Sequence, residues 1–539
     1  FERKMVEKDD NYFKLVTANA HAYERLELYK SNHSVRDTEI KEVHARSNLL
    51  ESELAFANRK LKELQDELNR IYGSDGWRWL NRYYRFKGKY LHENSAQYRV
   101  LKRLIRGKSA QRGKDRQTVS ALIKEQPNIG TDDIKGPDKF QLPIVFTEHS
   151  EPEVSIIIPV YNAFQINIEC LHSIRENTNG VRYEVILADD ASTDETKNIS
   201  NYVKNITHLR SEKNLGFIGN CKKAAANARG KYIHFLNNDT IVKQGWLSSL
   251  VKLMDGDSSI GMSGSKLIYP DGRLQEAGGI IWSDGSGWNY GNGRDPDDPE
   301  FNYVKDVDYI SGASILIRKE VWDKLGGFDE MYKPAYCEDS DFSFTLRKSG
   351  YRVVYQPLSE VIHLEGYSHG TNEDITNKTA VKSYQLENNQ KFQKKWNNEL
   401  LQGQFPNGVE VFWARDRSRN KKSILVIDHY VPHIDRDAGS RTTFQYLKLF
   451  VKMGYNVKFI GDNFYRHEPY TTLLQQMGIE VLYGSYYANN WQAWLLEHAS
   501  KFEFIYLNRP HITTKYLQFL KDNITTKLIY YGHDLHFWR

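Results

Sequence analysis

A chain of 539 residues holds roughly three or four structural units at ~150 residues each. With 40% apolar and 27% charged residues, its composition is that of an ordinary soluble globular protein. Cys170, Cys221 and Cys337 lie far apart with no CxxC pair, which excludes a disulfide scaffold and a structural zinc site and fits a reducing compartment. No apolar run approaches ~18 residues, so nothing is long enough to cross a bilayer as a helix. The opening FERKMVEKDD has neither an initiator Met nor a signal-peptide pattern, and it reads as the start of a fragment.

Residues 1–39 are charged and Tyr-rich with weak periodicity, which predicts a helical or disordered segment. Over 40–72 the positions Ile40, Val43, Ser47, Leu50, Leu54, Ala57, Leu61, Leu64, Leu68 and Ile71 alternate spacings of three and four. That is a coiled-coil seam and predicts self-association; the alternative is a long amphipathic helix packed on its own chain. Residues 73–116 then concentrate the charge. Between Trp77 and Arg116 lie thirteen Lys and Arg against Glu93 and Asp115, so this short stretch is strongly basic although the whole chain is only +5. Its cations are interleaved with Trp77, Trp79, Tyr83, Tyr84, Phe86 and Tyr90, a pattern suited to an anionic lipid surface. A merely solvated basic helix is the plainer alternative, and no recognisable nucleic-acid module surrounds it. Residues 117–151 are polar and broken by Gly and Pro, and read as a linker.

From 152 to 370 apolar strand patterns (VSIIIPV, EVILAD, YIHFL) alternate with helical ones, which predicts an α/β fold with a mainly parallel sheet. Ligands of such sheets sit beyond the carboxyl ends of the strands. There the sequence places Pro159-Val-Tyr161-Asn162, then Asp189-Asp190-Ala-Ser192, then Asn237-Asn238-Asp239-Thr240. One aromatic ring and several carboxylates thus converge, a set able to meet a hard divalent cation and a diphosphate. Residues 371–422 read as a helical connector. Over 423–539 a second strand–helix alternation begins with ILVIDHYV, and Asp437-Ala-Gly439-Ser440-Arg441 forms a small-residue turn that opens a helix.

PVYN, ADDASTDET, NLGFIGN, FLNNDT, ISGASILIRKEVWDKLGGFDE, YCEDSDFSFTLRKSGY and VIHLEGYSHG occur in the order typical of glycosyltransferase family 2. Residues 153–370 resemble its GT-A fold and, within it, the rhamnosyltransferase-like group that builds O-antigen and other polysaccharides. The resemblance implies an inverting transferase that uses a nucleotide-diphosphate sugar and Mg²⁺ or Mn²⁺. It implies that Pro159, Tyr161, Asp190, Asn238, Asp239, Gly312 and Ala313 bind the donor, and that Asp239 and His363 hold the metal. Asp339 matches the catalytic base, with Asp341 and then Glu338 the alternatives for that role. Glu338 and Asp341, two residues or fewer away, and Trp282 and Trp288 of the Gly-rich segment 282–302 are candidate acceptor contacts; that segment reads as a lid, a sugar platform or a solvated connector. One departure is that the Asp-x-Asp position reads Asn237-Asn238-Asp239, so amides replace its first carboxylates. Residues 423–539 resemble the N-terminal half of a GT-B transferase of the family 4 type.

The expected function is transfer of rhamnose from dTDP-rhamnose to a growing bacterial surface polysaccharide or lipid-linked glycan. The expected setting is the inner face of the cell membrane, with the coiled coil joining copies and no nucleic-acid partner. The alternatives are a UDP-sugar donor (galactofuranose or N-acetylhexosamine) on the same scaffold, or a non-catalytic coiled-coil scaffold with a degenerate transferase domain.

Overall fold

The structure, a computed structural model, describes residues 142–364 and 375–532. The segment 1–39, the coiled coil expected over 40–72 and the basic aromatic region of 73–116 lie outside the described residues. No helix among the described residues is long and apolar enough to cross a membrane.

The first half runs β1 (Ile144–Val145), β2 (Val154–Val160), α1 (Phe164–Asn177), β3 (Tyr183–Asp189), β4 (Val203–Lys204), β5 (Thr207–Arg210), α2 (Gly216–Ala225), β6 (Tyr232–Leu236) and β7 (Thr240–Val242). It continues α3 (Trp246–Gly256), β8 (Ile260–Ile268), β9 (Leu274–Glu276), β10 (Gly279–Ile281), β11 (Gly287–Asn289), β12 (Lys305–Asp306), β13 (Ser314–Arg318), α4 (Lys319–Leu325), α5 (Glu338–Lys348) and β14 (Arg352–His363). Ten strands form one mixed sheet in the order β12-β14-β8-β13-β6-β2-β3-β5, with β7 beside β14 and β9 beside β8. The strands β5, β3, β2 and β6 are mutually parallel, whereas β13 runs antiparallel to both β6 and β8. The near-continuous apolar run of β2 is what a strand covered on both faces requires: Ile157 and Ile186 belong to one core, Ile156, Ile158 and Leu187 to the other.

Two sequence boundaries move. The span 117–151 is not linker to its end, because β1 pairs with β4 and buries Ile144 and Phe146 in the second of those cores. The connector 371–422 is also built into the domain. Its helix α6 (Ile375–Gly403) buries Phe392, Trp396 and Leu400, with Phe392 and Trp396 packed 5.1 and 5.4 Å from the Phe344 ring. The short helix α7 (Val411–Ala414) follows.

The second half alternates regularly through β15 (Ser423–Asp428), α8 (Ala438–Lys452), β16 (Asn456–Gly461), α9 (Tyr470–Gln476), β17 (Glu480–Leu482), α10 (Ser485–His498), β18 (Phe504–Asn508), α11 (Pro510–Asn523) and β19 (Lys527–Tyr531). These make a five-stranded sheet of order β17-β16-β15-β18-β19, parallel throughout, which is a doubly wound arrangement. Asp437 caps α8 as its spacing suggests, its carboxylate accepting the Ser440 backbone N–H at 2.7 Å.

The two sheets are joined by a buried network of charges. Lys458, fully buried on β16, reaches Asp416 at 2.8 Å and Glu480 at 2.7 Å, and Arg415 pairs with Glu480 at 2.7 Å and with Glu300 at 2.8 Å. Tyr303 donates to Asp416 at 2.9 Å, and the amides of Gln356 and Gln476 exchange hydrogen bonds of 2.9 Å in both directions.

Candidate active site

The carboxyl ends of β2, β3 and β6 open on a cavity of about 520 Å³, lined among others by Pro159, Tyr161, Asp190, Asn238, Asp239 and His363. Six of the sequence-predicted residues therefore meet in one place. Tyr161, 49% exposed, stands beyond the end of β2. The turn after it is held by the side chain of Asn162, whose Oδ1 accepts the backbone N–H groups of Thr193 at 2.7 Å and Asp194 at 3.2 Å. Asn162 pays for this with a left-handed backbone (φ 58).

Asp190 turns its carboxylate towards the start of α2, where it accepts the N–H of Leu215 at 2.7 Å and of Gly216 at 3.0 Å. Burial raises its pKa despite those two bonds. Asn238 is used differently from the expectation: its amide donates to Asn167 Oδ1 at 2.7 Å, and Asn167 in turn donates to Thr196 at 3.0 Å. The amide that replaces a carboxylate in the Asp-x-Asp position thus ties the β6–β7 corner to α1.

Asp239 and His363 come together because β7 runs antiparallel to the end of β14, with His363 opposite Thr240. The His363 Nε2 lies 3.2 Å from Asp239 Oδ1. His363 Nδ1–H donates to Gln275 Oε1 at 3.1 Å, which leaves Nε2 as the nitrogen that faces Asp239. Gln275 reaches this point from β9, whose pairing with β8 shifts register between Leu267 and Ile268. A carboxylate oxygen and an oriented imidazole nitrogen fit a divalent cation that takes its other ligands from phosphate and water. Among the described residues no three His, Cys, Asp or Glu side chains converge on such an ion.

Asp339 sits in the first turn of α5. Its Oδ2 accepts the Gly312 N–H at 2.9 Å, and its Oδ1 accepts the Ser340 N–H at 2.6 Å. Gly312 and Ala313 therefore act through this turn, and Ala313 itself is buried, its carbonyl accepting the Asn237 N–H at 3.0 Å. The approach to α5 is left-handed at both Tyr336 (φ 79) and Cys337 (φ 71), two non-glycine residues in a costly conformation next to the acids. Burial pushes the Glu338 carboxyl up to about 8, and the charge of Asp339 adds to the shift. Asp339 is raised by burial too, against the bonds from Gly312 and Ser340. A third acid, Glu276 on β9, is fully buried; its Oε1 accepts the Ser311 N–H at 3.1 Å and its Oε2 has no hydrogen-bond partner. Burial, opposed by that one bond and reinforced by Asp339, brings Glu276 to about 8.

Two candidate acceptor contacts are corrected. Asp341 is consumed within the fold: it accepts Tyr332 Oη–H at 2.9 Å and Trp396 Nε1–H at 2.7 Å, and pairs with Lys395 at 2.8 Å. Trp282 is a core residue with no exposed surface, and only its neighbour Trp288 reaches solvent. The segment 282–302 is likewise no free lid. Its hairpin pairs β10 with β11, and Tyr290, Pro299 and Phe301 are buried.

Sequence reasoning missed Asn214, Gly216, Phe217, Asn220 and Tyr336, which complete the cavity wall, and the two supports Gln275 and Glu276. NLGFIGN carried the signal for the first four. Nothing local marks Tyr336, Gln275 or Glu276.

Residues 155–325 match the sequence model described as Glycosyl transferase family 2. The O-antigen biosynthesis protein RfbC of Myxococcus xanthus is 27% identical over 248 residues, 44% of this chain and 19% of that protein. The O-antigen chain rhamnosyltransferase WbaN of Salmonella anatum is 28% identical over 225 residues, 40% of this chain and 68% of that one. A solved structure, GalNAc-T7 with UDP, GalNAc and Mn²⁺, superposes with a TM-score of 0.37 at 17% identity, covering 47% of this chain and 50% of that chain. The match to the Myxococcus protein spans about a fifth of its length. Residues 155–325 are a glycosyl transferase family 2 domain.

Proposed function

We propose that this domain is an inverting, metal-dependent sugar transferase acting on a nucleotide-diphosphate sugar, with rhamnose from dTDP-rhamnose the first choice of donor. The observation that carries the reading is the meeting of Asp190, Asp239 and His363 in one cavity, with Asp339 anchored to the Gly312 turn. Tyr161 offers its ring to the nucleotide base, and Pro159, Asp190, Asn238, Gly312 and Ala313 shape the donor site.

Asp239 and His363 would hold Mg²⁺ or Mn²⁺, and the bound cation would neutralise charge developing on the leaving diphosphate. Asp339 is the general base. Its Oδ1 is held by the Ser340 N–H and hydroxyl, whereas Oδ2, held by the Gly312 N–H, keeps a lone pair for the proton of the acceptor hydroxyl. As that proton moves to Asp339, the hydroxyl oxygen bonds to the anomeric carbon, and the bond to the diphosphate breaks with its electron pair leaving on the diphosphate oxygen. Attack from the face opposite the leaving group inverts the centre. Glu338, whose carboxyl is raised by burial and by the charge of Asp339, lies beside it.

The acceptor in this reading is a growing bacterial surface polysaccharide or lipid-linked glycan, and the similarity to an O-antigen chain rhamnosyltransferase supports both the sugar and the setting. The coiled coil of 40–72 would join copies, and the region 73–116 would meet the anionic inner face of the membrane. The parallel sheet of the second half supports reading 423–539 as half of a GT-B fold.

Calorimetric titration with dTDP, UDP and GDP, with and without Mn²⁺, tests the reading on the wild type and Asp239→Ala. Metal-dependent binding of dTDP that disappears in the variant is expected. A preference for UDP would keep the mechanism and move the sugar to galactofuranose or N-acetylhexosamine, and no binding of any nucleotide would sink it.

A further inference from the structure

We propose that the outer face of the β10–β11 hairpin and the turn after it, around Trp288, Asn289 and Asn292, is a saccharide subsite that binds an inner sugar of an oligosaccharide acceptor. The proposal rests on the transferase reading and adds to it the acceptor's class: a chain of at least two sugars, not a single one.

This face carries a second cavity, about 610 Å³, opening along Gly287–Arg294. All three residues of β11 are exposed, and Trp288 keeps 41% of its surface in solvent. The ring is nevertheless fixed. It stands edge-to-face on the buried Trp282, with centroids 4.9 Å apart, and lies against the turn at Gly408. A rigid, exposed indole is a stacking surface for a pyranose, whose C–H bonds present positive edges to the negative face of the ring.

The amides beside it are each held at one end. Asn289 Oδ1 accepts the Tyr309 hydroxyl at 2.7 Å, and no protein group among the described residues takes its NH₂. Asn292 donates to the Tyr269 hydroxyl at 3.0 Å and to the Gln275 carbonyl at 3.3 Å, which leaves its own oxygen as an acceptor. One donor, one acceptor and a fixed ring thus line a single cavity, the kind of few placed polar groups and apolar surface that a sugar uses.

The same two anchors tie this face to the chemistry. Tyr309, which holds Asn289, lies two residues before the Ser311–Gly312 turn, whose N–H groups bind Glu276 and Asp339. Its hydroxyl feels the charge of both acids. Gly279 is what lets the Tyr309 ring in so closely, since a Cβ there would stand 2.0 Å from it. Gln275, on which Asn292 leans, supports His363. Hydrogen bonds thus connect this cavity to the turn that holds Asp339 and to the support of His363.

The test is binding of wild type, Trp288→Ala and Trp288→Phe to an immobilised panel of bacterial surface oligosaccharides of graded length, read beside calorimetric titration with dTDP, UDP and GDP in Mn²⁺. Wild type should retain oligosaccharides but not monosaccharides. Trp288→Ala should bind them about tenfold more weakly or not at all. Trp288→Phe should recover most of the binding, which separates loss of the ring from loss of the fold, and all three should take up nucleotide alike. Equal retention of oligosaccharides by Trp288→Ala would overturn the subsite, as would a wild type that binds nucleotide but no oligosaccharide. A wild type that binds no nucleotide would remove the transferase reading and the subsite with it.

Discussion

Two clusters of buried carboxylates stand in this molecule and have opposite electrostatics. At the junction of the sheets, burial would raise Asp416, but Lys458 and Arg415 more than offset it and hold the group well below the usual carboxylate range. Glu300 behaves alike, brought down to about 2 against its own burial by Arg415 and Arg294. Near Asp339, Glu276 and Glu338 are buried with no cationic partner among the described residues, and each has a carboxyl oxygen with no hydrogen-bond partner there. Their values rise to about 8. The junction matches its buried acids to bases, and the acids near Asp339 have no such match among the described residues, a pattern that often accompanies reactive sites.

The largest effect should come from the site. Asp339→Asn keeps the size of the side chain and removes its ability to accept a proton, so sugar transfer should fall by about 10²–10⁴. The measurement is turnover with saturating donor and acceptor, beside a nucleotide titration that should not change. Normal turnover would move the base elsewhere and leave the unmatched acids without a task. The junction should answer with stability instead. Lys458→Met leaves Asp416 and Glu480 buried beside one cation fewer, and chemical denaturation should show a loss of roughly 3–5 kcal/mol. A loss under ~1 kcal/mol would mean that Arg415 alone neutralises the pair.

What the sequence made legible follows from how far apart the partners are. The strand ends PVYN, ADDAS and FLNNDT could be read because each is local: an apolar run stops and polar residues begin, and a parallel sheet then aligns the stops. The support of the site could not. Gln275 and Glu276 lie in a three-residue strand with no period to read, and their partners His363 and Ser311 are 88 and 35 residues away. Nothing near Asp341 in the chain shows that Lys395 and Trp396, more than fifty residues on, occupy it. Trp282 sat in a segment whose Gly and Asp content suggests solvent, and only the packing of Phe301 and Tyr290 in the same core shows why its ring is inside. Of the junction, the sequence displayed Lys458 as one polar residue in the strand NVKFIG, with no hint of the two acids waiting for it.

The smallest effect is also the sharpest test of the contrast, because it depends on sign. A carboxyl whose folded pKa is about 8 binds more protons in the folded chain than in the unfolded one wherever the pH lies between its unfolded value and 8. Folding is then favoured at the acid end, and the contribution is lost as pH rises through about 8. Glu276→Gln removes the ionisation while its amide oxygen can still accept the Ser311 N–H. The variant should therefore lose part of the wild type's decline in stability between pH ~5 and ~8.5, gaining on the order of 1–3 kcal/mol over wild type at the alkaline end and little at the acid end. Thermal melts of both proteins across that range read the difference. Parallel curves would mean that Glu276 is ionised at neutral pH and has found a counter-charge, and the two clusters would then be alike. A gap that opens with pH would establish that the supports of the proposed cation site and the proposed base include an acid kept neutral by burial.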